Sequence, residues 1–535
     1  MSRIVIVGGG FGGAFAAKYL RRHLGRDADI EIINSTNYFV FQPLLPEVAS
    51  GTINAPDAVT PLRYMLKGIR VRMADVIAVD RDKQRITILQ GSRRIPQYID
   101  YDHLVIAVGQ QTNLEISAGM REHALCMRNL ADAHGLRNRV IECLEHADIT
   151  RDENLKRRLL TFVVAGGGFS GTETIGELIE MIHRTLKFYP NVSKDQIRAV
   201  LVQRGDRILP ELSRPLGEYA AKKLGKRNVD IRCHASVASA TATAVFLDNG
   251  ERIDTATFIS TVGSGPTGFT SELGIDLERG KIPVDEYLQI KGSQSLWALG
   301  DAALIPLPSA DGEPRFAPPT AQYAVREAKC LAGNIAALHQ GRELQAFAFR
   351  PWGSLASIGH YSAVAELFGL RLSGLTAWLL WRAIYIGMLP GFSTRLRVAL
   401  NWLFDYFLPR SIVQIANRRS AATQYRRYAR GDVISGEGQI VDGFYTVISG
   451  YLESRIPDPH GGEDFVRILG PGDHWGERSL TEHTRTVGTL TAAEDATVMV
   501  LPADDFHNLC DAFPVLDDYF EKISDKIYAP SLRKH

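Results

Sequence analysis

Twice along the chain a short β-branched run enters a cluster of glycines and leaves it as a helix. Ile4-Val5-Ile6-Val7 leads into Gly8-Gly9-Gly10-Phe11-Gly12-Gly13 and then Ala14 to Leu20; Thr161-Phe162-Val163-Val164-Ala165 leads into Gly166-Gly167-Gly168-Phe169-Ser170-Gly171 and then Glu173 to Ile182. One such cluster is a weak signal, because glycine turns recur for purely structural reasons. A pair with strand before and helix after is specific: Gly8 and Gly166 permit the tight turn, Gly10 and Gly168 let a pyrophosphate reach the backbone, and Gly13 and Gly171 let helix lie on strand. Each unit continues to another apolar strand, Ile30 to Ile33 and Ala199 to Val202, and is closed by a third, Leu104 to Gly109 and Thr257 to Gly263. The fold class expected is α/β with two Rossmann-like dinucleotide-binding lobes.

At 535 residues the chain has length for about three or four domains. The expected division is 1–115 and 265–345 for an FAD-binding lobe, 116–264 for an NAD(P)H-binding lobe, 346–417 for a helical membrane-anchoring segment and 418–535 for a C-terminal β-roll. Lys plus Arg at 61 against Asp plus Glu at 60 leaves no basic field for nucleic acid. The five cysteines show neither CxxC nor zinc-site spacing, so no metal site is expected and a reducing compartment fits. The amino terminus enters its first strand directly, without the apolar stretch of a secretory signal.

Two dinucleotide lobes imply FAD in one and NADH or NADPH in the other, with hydride passing to the flavin. The first lobe is assigned to FAD, with Gly8, Gly10, Gly12, Gly13, Asn34, Val76, Ala107, Gly109 and Asp301 as candidate contacts. Asp301 ends the run Ser295 to Gly300, at the strand tip where ligands bind in open α/β sheets. The second lobe offers Gly166, Gly168, Gly171, Gln203, Arg204 and Gly263 to the nicotinamide cofactor. Neither lobe has the usual ribose-binding acid: Asn34 and Gln203 take that place. Gln203-Arg204 removes repulsion against a 2′-phosphate and supplies a guanidinium, so NADPH is expected to be accepted. No cysteine pair follows the first strand and helix, the first cysteine being Cys126, so the flavin must hand electrons to another acceptor.

Four of the six tryptophans, Trp352, Trp378, Trp381 and Trp402, fall close together, and Arg371 to Arg430 holds ten arginines, no lysine and one acid, Asp405. No run reaches the ~20 apolar residues of a spanning helix. Residues 370–415 therefore read as amphipathic helices in a membrane interface, arginines toward anionic headgroups. A helical hairpin buried in a homodimer is the competing reading.

The motifs Asn37-Tyr38 with Phe41-Gln42-Pro43-Leu44-Leu45, Tyr101-Asp102-His103-Leu104-Val105-Ile106-Ala107-Val108-Gly109, Ala298-Leu299-Gly300-Asp301 and Pro318-Pro319-Thr320-Ala321-Gln322 resemble those of the type II NADH dehydrogenases, from Arg3 to about Ile415. The resemblance implies a peripheral protein on the cytoplasmic face of the inner (plasma) membrane. In its cycle NAD(P)H reduces FAD and a membrane quinone reoxidises it, without proton pumping. It further implies that Asp301 holds the ribitol, that Glu173 links the nicotinamide and quinone sites, and that the Gln322 amide lies beside the flavin and donates to a quinone carbonyl. An acid at Glu173 can instead simply complement its helix dipole. The sequence departs from the family at Arg326-Glu327-Ala328, where Gln-Gln-Gly is usual, and at Tyr385, where histidine is common. A sulfide:quinone oxidoreductase, which works through cysteines near the flavin, and a slowly turning redox sensor remain as alternatives.

Beyond Asn417 short strands recur at turn-rich spacing: Asp432 to Ile434, Gly443 to Ile448, Tyr451 to Arg455, Phe465 to Leu469, Val487 to Thr491 and Thr497 to Leu501, with a helix expected over Ala503 to Ile527. Gly443 to Gly450 and Leu469 to Glu477 resemble a cyclic nucleotide-binding domain. In that family Gly476 exposes backbone amides, Glu477 takes the ribose hydroxyl and Arg485 pairs with the cyclic phosphate of cAMP or cGMP, with Ser479 and Thr486 adding hydrogen bonds. The eight residues from Glu477 to Arg485 make a short cassette. A domain that binds nothing and only contacts partners is the alternative.

Overall fold

A computed structural model describes residues 2–91, 94–308, 313–359, 361–414, 424–458, 462–482, 484–513, 515–516, 519–520 and 522. The expected boundary at 417/418 and the end of the expected helix beyond 522 lie outside these residues; within them that helix spans Ala503–Ala512.

The first β-branched run is the middle strand of a five-stranded parallel sheet ordered Leu296–Ala298, His103–Ile106, Ser2–Val7, Ala28–Asn34, Arg70–Met73. Ile4, Val5 and Ile6 are fully buried, because both faces of a parallel sheet are covered and its central strands read as unbroken apolar runs. Helices Phe11–Leu24 and Ala321–His339 pack together on one face. The second run, Thr161–Ala165, is likewise central in a parallel sheet ordered Ala124–Leu125, Thr257–Ser260, Thr161–Ala165, Arg198–Gln203, Val229–Cys233. Each lobe also holds a three-stranded antiparallel sheet, Asp75–Asp80 to Ile95–Asp100 in the first and Val237–Ala240 to Arg252–Asp254 in the second. The chain crosses between lobes on Gln111–Thr112 and Ser264–Gly265, which pair with each other.

Gly353–Ser357, Ala363–Leu367 and Leu370–Gly374 form a small antiparallel sheet that feeds helices Leu375–Met388 and Phe392–Phe407. Trp378, Trp381, Val398 and Trp402 are buried, while Leu379, Phe392, Leu403, Phe404, Phe407 and Leu408 are exposed. Among the described residues no helix is long and apolar enough to cross a membrane.

The arginines of this region divide: Arg371, Arg395 and Arg397 are exposed, whereas Arg382 and Arg410 turn inward. The Arg382 guanidinium lies 3.7 Å from the Trp378 ring centre and 4.5 Å from that of Trp402, and Arg395 donates to the Leu389 and Gly387 carbonyls. Arg410 is buried, pairing with Asp405 at 2.9 Å and lying 3.8 Å from Glu177. The reason is electrostatic: buried carboxylates and indole faces both need cations, and the segment's own arginines supply them.

After residue 424 the chain forms two four-stranded antiparallel sheets. One orders Gln424–Tyr428, Ala496–Pro502, Gly443–Ser449, His474–Trp475; the other Val433–Ser435, Thr489–Ala492, Leu452–Ile456, Phe465–Leu469. The strands Gln424–Tyr428 and His474–Trp475 escaped the sequence reading, the first because its side chains are mostly polar and the second because two residues carry no periodicity.

Arg410→Ala should leave Glu177 buried without its cation and lower the unfolding free energy by about 3 kcal/mol or more, read as a drop in thermal midpoint.

Candidate active site

A cavity of about 490 Å³ opens at the carboxyl ends of the first sheet. Of the residues expected there, Gly8, Gly10, Gly12, Asn34, Val76, Ala107, Gly109 and Asp301 line it. Gly13 lies behind the wall: a β-carbon there would drive into the Gly8 carbonyl oxygen. Gly8 has φ +107° and sits against the Ala107 carbonyl, where only glycine fits. Gly10 differs, with nothing within 4 Å of the place a β-carbon would take. That opening lets a phosphate reach backbone N–H groups at the start of Phe11–Leu24.

Asn34 does not simply substitute for the missing acid. Its Oδ1 accepts from the Gly9 N–H at 2.8 Å and its Nδ2 donates to the Thr36 carbonyl at 2.9 Å. Gln203 repeats the device in the second lobe, its Oε1 accepting from the Gly167 N–H at 2.9 Å. Both amides thus brace the middle of a glycine turn. Gly166, at φ +104°, is pressed against Thr261 and Val262, Gly171 against the Gly166 carbonyl, and Gly263, at φ +76°, against the Asn113 carbonyl. Gly168 faces Glu211, whose Oε1 is 3.3 Å from the β-carbon position, and Arg204 is exposed.

Asp301 lines the first cavity with its carboxyl raised by burial, opposed by the charges of Lys281 and Arg128. Arg128, which nothing in the sequence marks out, donates to the Gln110 carbonyl at 2.8 Å and lines the same cavity. Volume, glycine opening and a carboxylate at the strand tip fit the adenine, pyrophosphate and ribitol of FAD. None of the described cysteines lines this cavity.

Gln322 lies in the first turn of Ala321–His339, off the cavity wall. Its Nε2 donates to the Gly353 carbonyl at 3.0 Å, and its Oε1 is buried without a partner. The two charges that replace the family's amides part company. Arg326 stacks on Phe349 and Trp352, 5.4 and 5.0 Å from their ring centres. Glu327 turns inward and accepts from the Gly300 N–H at 2.8 Å, so it braces the loop that presents Asp301; burial pushes it up to about 7.

Glu173 is buried, accepts from the Ser357 N–H at 2.9 Å, and is pushed up to about 8 chiefly by desolvation. Two further acids share its surroundings and were not anticipated. Glu177 accepts from Ser50 at 2.9 Å, and Glu47 accepts from the Trp402 indole at 2.9 Å. Burial, then the charge of Glu177, raises Glu47 to about 8, against Arg382 and Arg410, which lower it. Glu47 was detectable as an acid inside the apolar run that follows Phe41-Gln42-Pro43. Tyr385 packs nearby, its ring 5.7 Å from Phe41 and 4.2 Å from Trp381, with burial holding its hydroxyl protonated.

A second cavity, of about 120 Å³, lies in the C-terminal domain and is lined by Gly476, Ser479, Arg485 and Thr486, together with Trp475 and Arg478. Glu477 is not on its wall. It is fully buried, both carboxylate oxygens lack partners, and burial pushes it up to about 7. Arg485 donates to the Gly438 carbonyl at 2.8 Å and Arg478 pairs with Glu482 at 3.0 Å, so both guanidiniums already have acceptors.

Two glycine cradles on separate parallel sheets, joined by a paired crossover, define a pyridine-nucleotide oxidoreductase scaffold. Residues 2–328 match the pyridine nucleotide-disulphide oxidoreductase family, residues 352–411 the NDH2 C-terminal domain, and residues 425–513 the cyclic nucleotide-binding domain. The type II NADH:quinone oxidoreductase Ndh of Mycobacterium tuberculosis is 30% identical over 426 residues, which cover 76% of this chain and 89% of that protein. The structure of NDH2 from Plasmodium falciparum in complex with NADH superposes with a TM-score of 0.72 at 20% identity, covering 77% of this chain and 99% of that one. The sulfide:quinone oxidoreductase of Aquifex aeolicus shares the fold, with a TM-score of 0.59 at 18% identity over 76% of this chain and 96% of that one. This chain belongs to the pyridine nucleotide-disulphide oxidoreductases and, within them, to the type II NADH:quinone oxidoreductases.

Gly10→Ala, which meets no atom, should hold its unfolding free energy within about 1 kcal/mol yet retain roughly a tenth or less of its FAD after apoprotein reconstitution; Gly13→Ala should lose stability as well. Glu47 favours folding fully below its ordinary 4.5, and that contribution is lost as pH rises through about 8. Glu47→Gln should therefore flatten the decline of the thermal midpoint between about pH 5 and 8.

Proposed function

We propose that this chain is a peripheral membrane flavoenzyme that oxidises NAD(P)H in the second glycine cleft and reduces a membrane quinone beside the first, without pumping protons. The observation that carries the reading is the first cavity, with a glycine cradle at one end and Asp301 on its wall; Gln322, in the first turn of the helix beside it, bonds one end of the strand Gly353–Ser357, and Glu173 accepts from the other end.

FAD, when bound, supplies two-electron acceptance from the nicotinamide and release to the quinone. Gly8, Gly10 and Gly12 position its pyrophosphate, Asn34 fixes the turn that does so, and Asp301 takes the ribitol. Gly166 and Gly168 do the same for NAD(P)H, with Gly171 letting the helix lie on the strand; Gln203 and Arg204 leave room for a 2′-phosphate. The overall balance is NAD(P)H plus one proton plus quinone giving NAD(P)+ plus quinol. Glu173 and Glu47, held near 8, are protonated at neutral pH and are the candidate source of the extra proton. Gln322 is oriented by Gly353, and its free Oε1 is turned inward.

The exposed apolar face of Phe392–Phe407, with Leu379 and Leu408, suits burial at the headgroup boundary of the inner (plasma) membrane, on its cytoplasmic face. The C-terminal domain is read as a regulatory site for cAMP or cGMP, Arg485 pairing with the phosphate after releasing Gly438. Outward stacking of Arg326 and the bond from the Gly300 N–H to Glu327 support the quinone reductase over a slow redox sensor.

Anaerobic stopped-flow absorbance is the test. NADH or NADPH should bleach the flavin band, sulfide should not, and a ubiquinone or menaquinone analogue in liposomes should restore it. Bleaching by sulfide, or no reoxidation by either quinone, would overturn the reading.

A further inference from the structure

The C-terminal domain is seated on the nicotinamide lobe, and the seat is built from polar groups rather than from a smooth apolar face. Asp432, only 7% exposed, accepts from the Thr243 hydroxyl at 2.9 Å and pairs with Arg252 at 3.1 Å. Beside it the strand Gln424–Tyr428 is gripped through one residue: the Arg427 N–H donates to His123 Nε2 at 2.9 Å, and the Arg427 carbonyl accepts from the Ala242 N–H at 2.8 Å. His123 must be neutral to accept, and burial, helped by Arg426 and Arg427, pushes it down to about 4.

Both sides of this seat run directly to a binding cavity. On the C-terminal side, Arg485 to Gly488 line the second cavity and pass without a break into the strand Thr489–Ala492. That strand ends at Ala492, whose N–H donates to the Asp432 carbonyl at 2.9 Å and whose carbonyl accepts from the Gly431 N–H at 2.7 Å. On the other side, His123 precedes the strand Ala124–Leu125, which pairs with Phe258–Ile259 of the strand leading to Gly263 in the nicotinamide cleft. Beyond Leu125 the same segment reaches Arg128 on the wall of the first cavity. The strand Thr489–Ala492 thus bears on Asp432 through two backbone hydrogen bonds, one at Asp432 itself and one at the preceding Gly431.

We propose that the C-terminal domain governs NAD(P)H binding, not the quinone step, through the Asp432–Thr243–Arg252 latch. The inference rests on the reading of the second cavity as a cyclic nucleotide site and specifies what that site controls. Filling the cavity engages Arg485 and displaces Thr489–Ala492, which alters the latch and hence the segment that carries Gly263. Coupling of this kind requires the ligand to favour one latch state over the other, and its factor is read as a change in NAD(P)H affinity.

The test uses flavin-loaded protein and two substitutions on the nicotinamide lobe, Thr243→Val and Arg252→Gln, which lie outside the C-terminal domain. Calorimetry with cAMP and with cGMP reads the second cavity; steady-state kinetics read KM for NADH and for quinone separately. The expected result is heat with one nucleotide, a change of about fivefold or more in KM for NADH with KM for quinone unmoved, and loss of that change in both variants, which still bind nucleotide. A change that survives both variants, or that falls on KM for quinone, overturns the latch. If neither nucleotide gives heat, the cyclic nucleotide reading fails and the latch is decided by the variants alone. Each should then shift KM for NADH by about fivefold, the double variant adding little more, and an unchanged KM overturns it.

Discussion

The contact between Gly13 and the Gly8 carbonyl sets the geometry on which everything else rests. With no side chain at either position, the helix Phe11–Leu24 lies close enough to the strand Ser2–Val7 for its first N–H groups to face the cavity. Gly171 and the Gly166 carbonyl repeat that contact in the second lobe. Because both helices begin at a strand tip, both cofactor positions fall at the carboxyl ends of their sheets. Asn34 and Gln203 hold each turn from beneath through the same backbone group, the N–H of the second glycine. A carboxylate could accept that bond equally well. The amide adds a donor, which Asn34 uses on Thr36, and it spares the cavity a negative charge beside a pyrophosphate.

The carboxyl-terminal helices are attached by charge as much as by apolar packing. Glu47 meets Trp402, Glu177 lies near Arg410, and Asp405 takes both Arg410 and Arg184, the latter at 2.8 Å. These acids come from the first lobe, the second lobe and the terminal helices in turn, so the network ties three parts of the chain to one another. Desolvation raises Glu47 and Glu173 while nearby arginines act on Glu47 in the opposite sense. The result is a protonated, neutral pair of carboxyls among aromatic rings, suited to a site where protons must be handed to an apolar acceptor.

Much of this was legible in the sequence, and the limits have physical causes. The glycine clusters announce themselves because their requirement is local: a positive φ or a close backbone approach admits one residue type. The parallel strands were visible as unbroken apolar runs. Arg382 and Arg410 were misread because composition reports the number of cations in a segment and not which way each side chain turns. Arg326 and Glu327 looked like charges inserted at a quinone site, whereas adjacent residues on a helix project about 100° apart and here reach different surroundings. Glu477 was placed by motif on the wall of a cavity that it does not line. The seat of the C-terminal domain could not be read at all, since Asp432, Thr243, Arg252 and His123 are far apart in the chain and each is unremarkable alone.

Native mass spectrometry of the purified full-length protein tests the central claim most directly, because it counts what the first cavity holds. One non-covalent FAD per chain, released on denaturation, is the result this account predicts. A folded chain that carries no FAD and takes none up when it is added would contradict it.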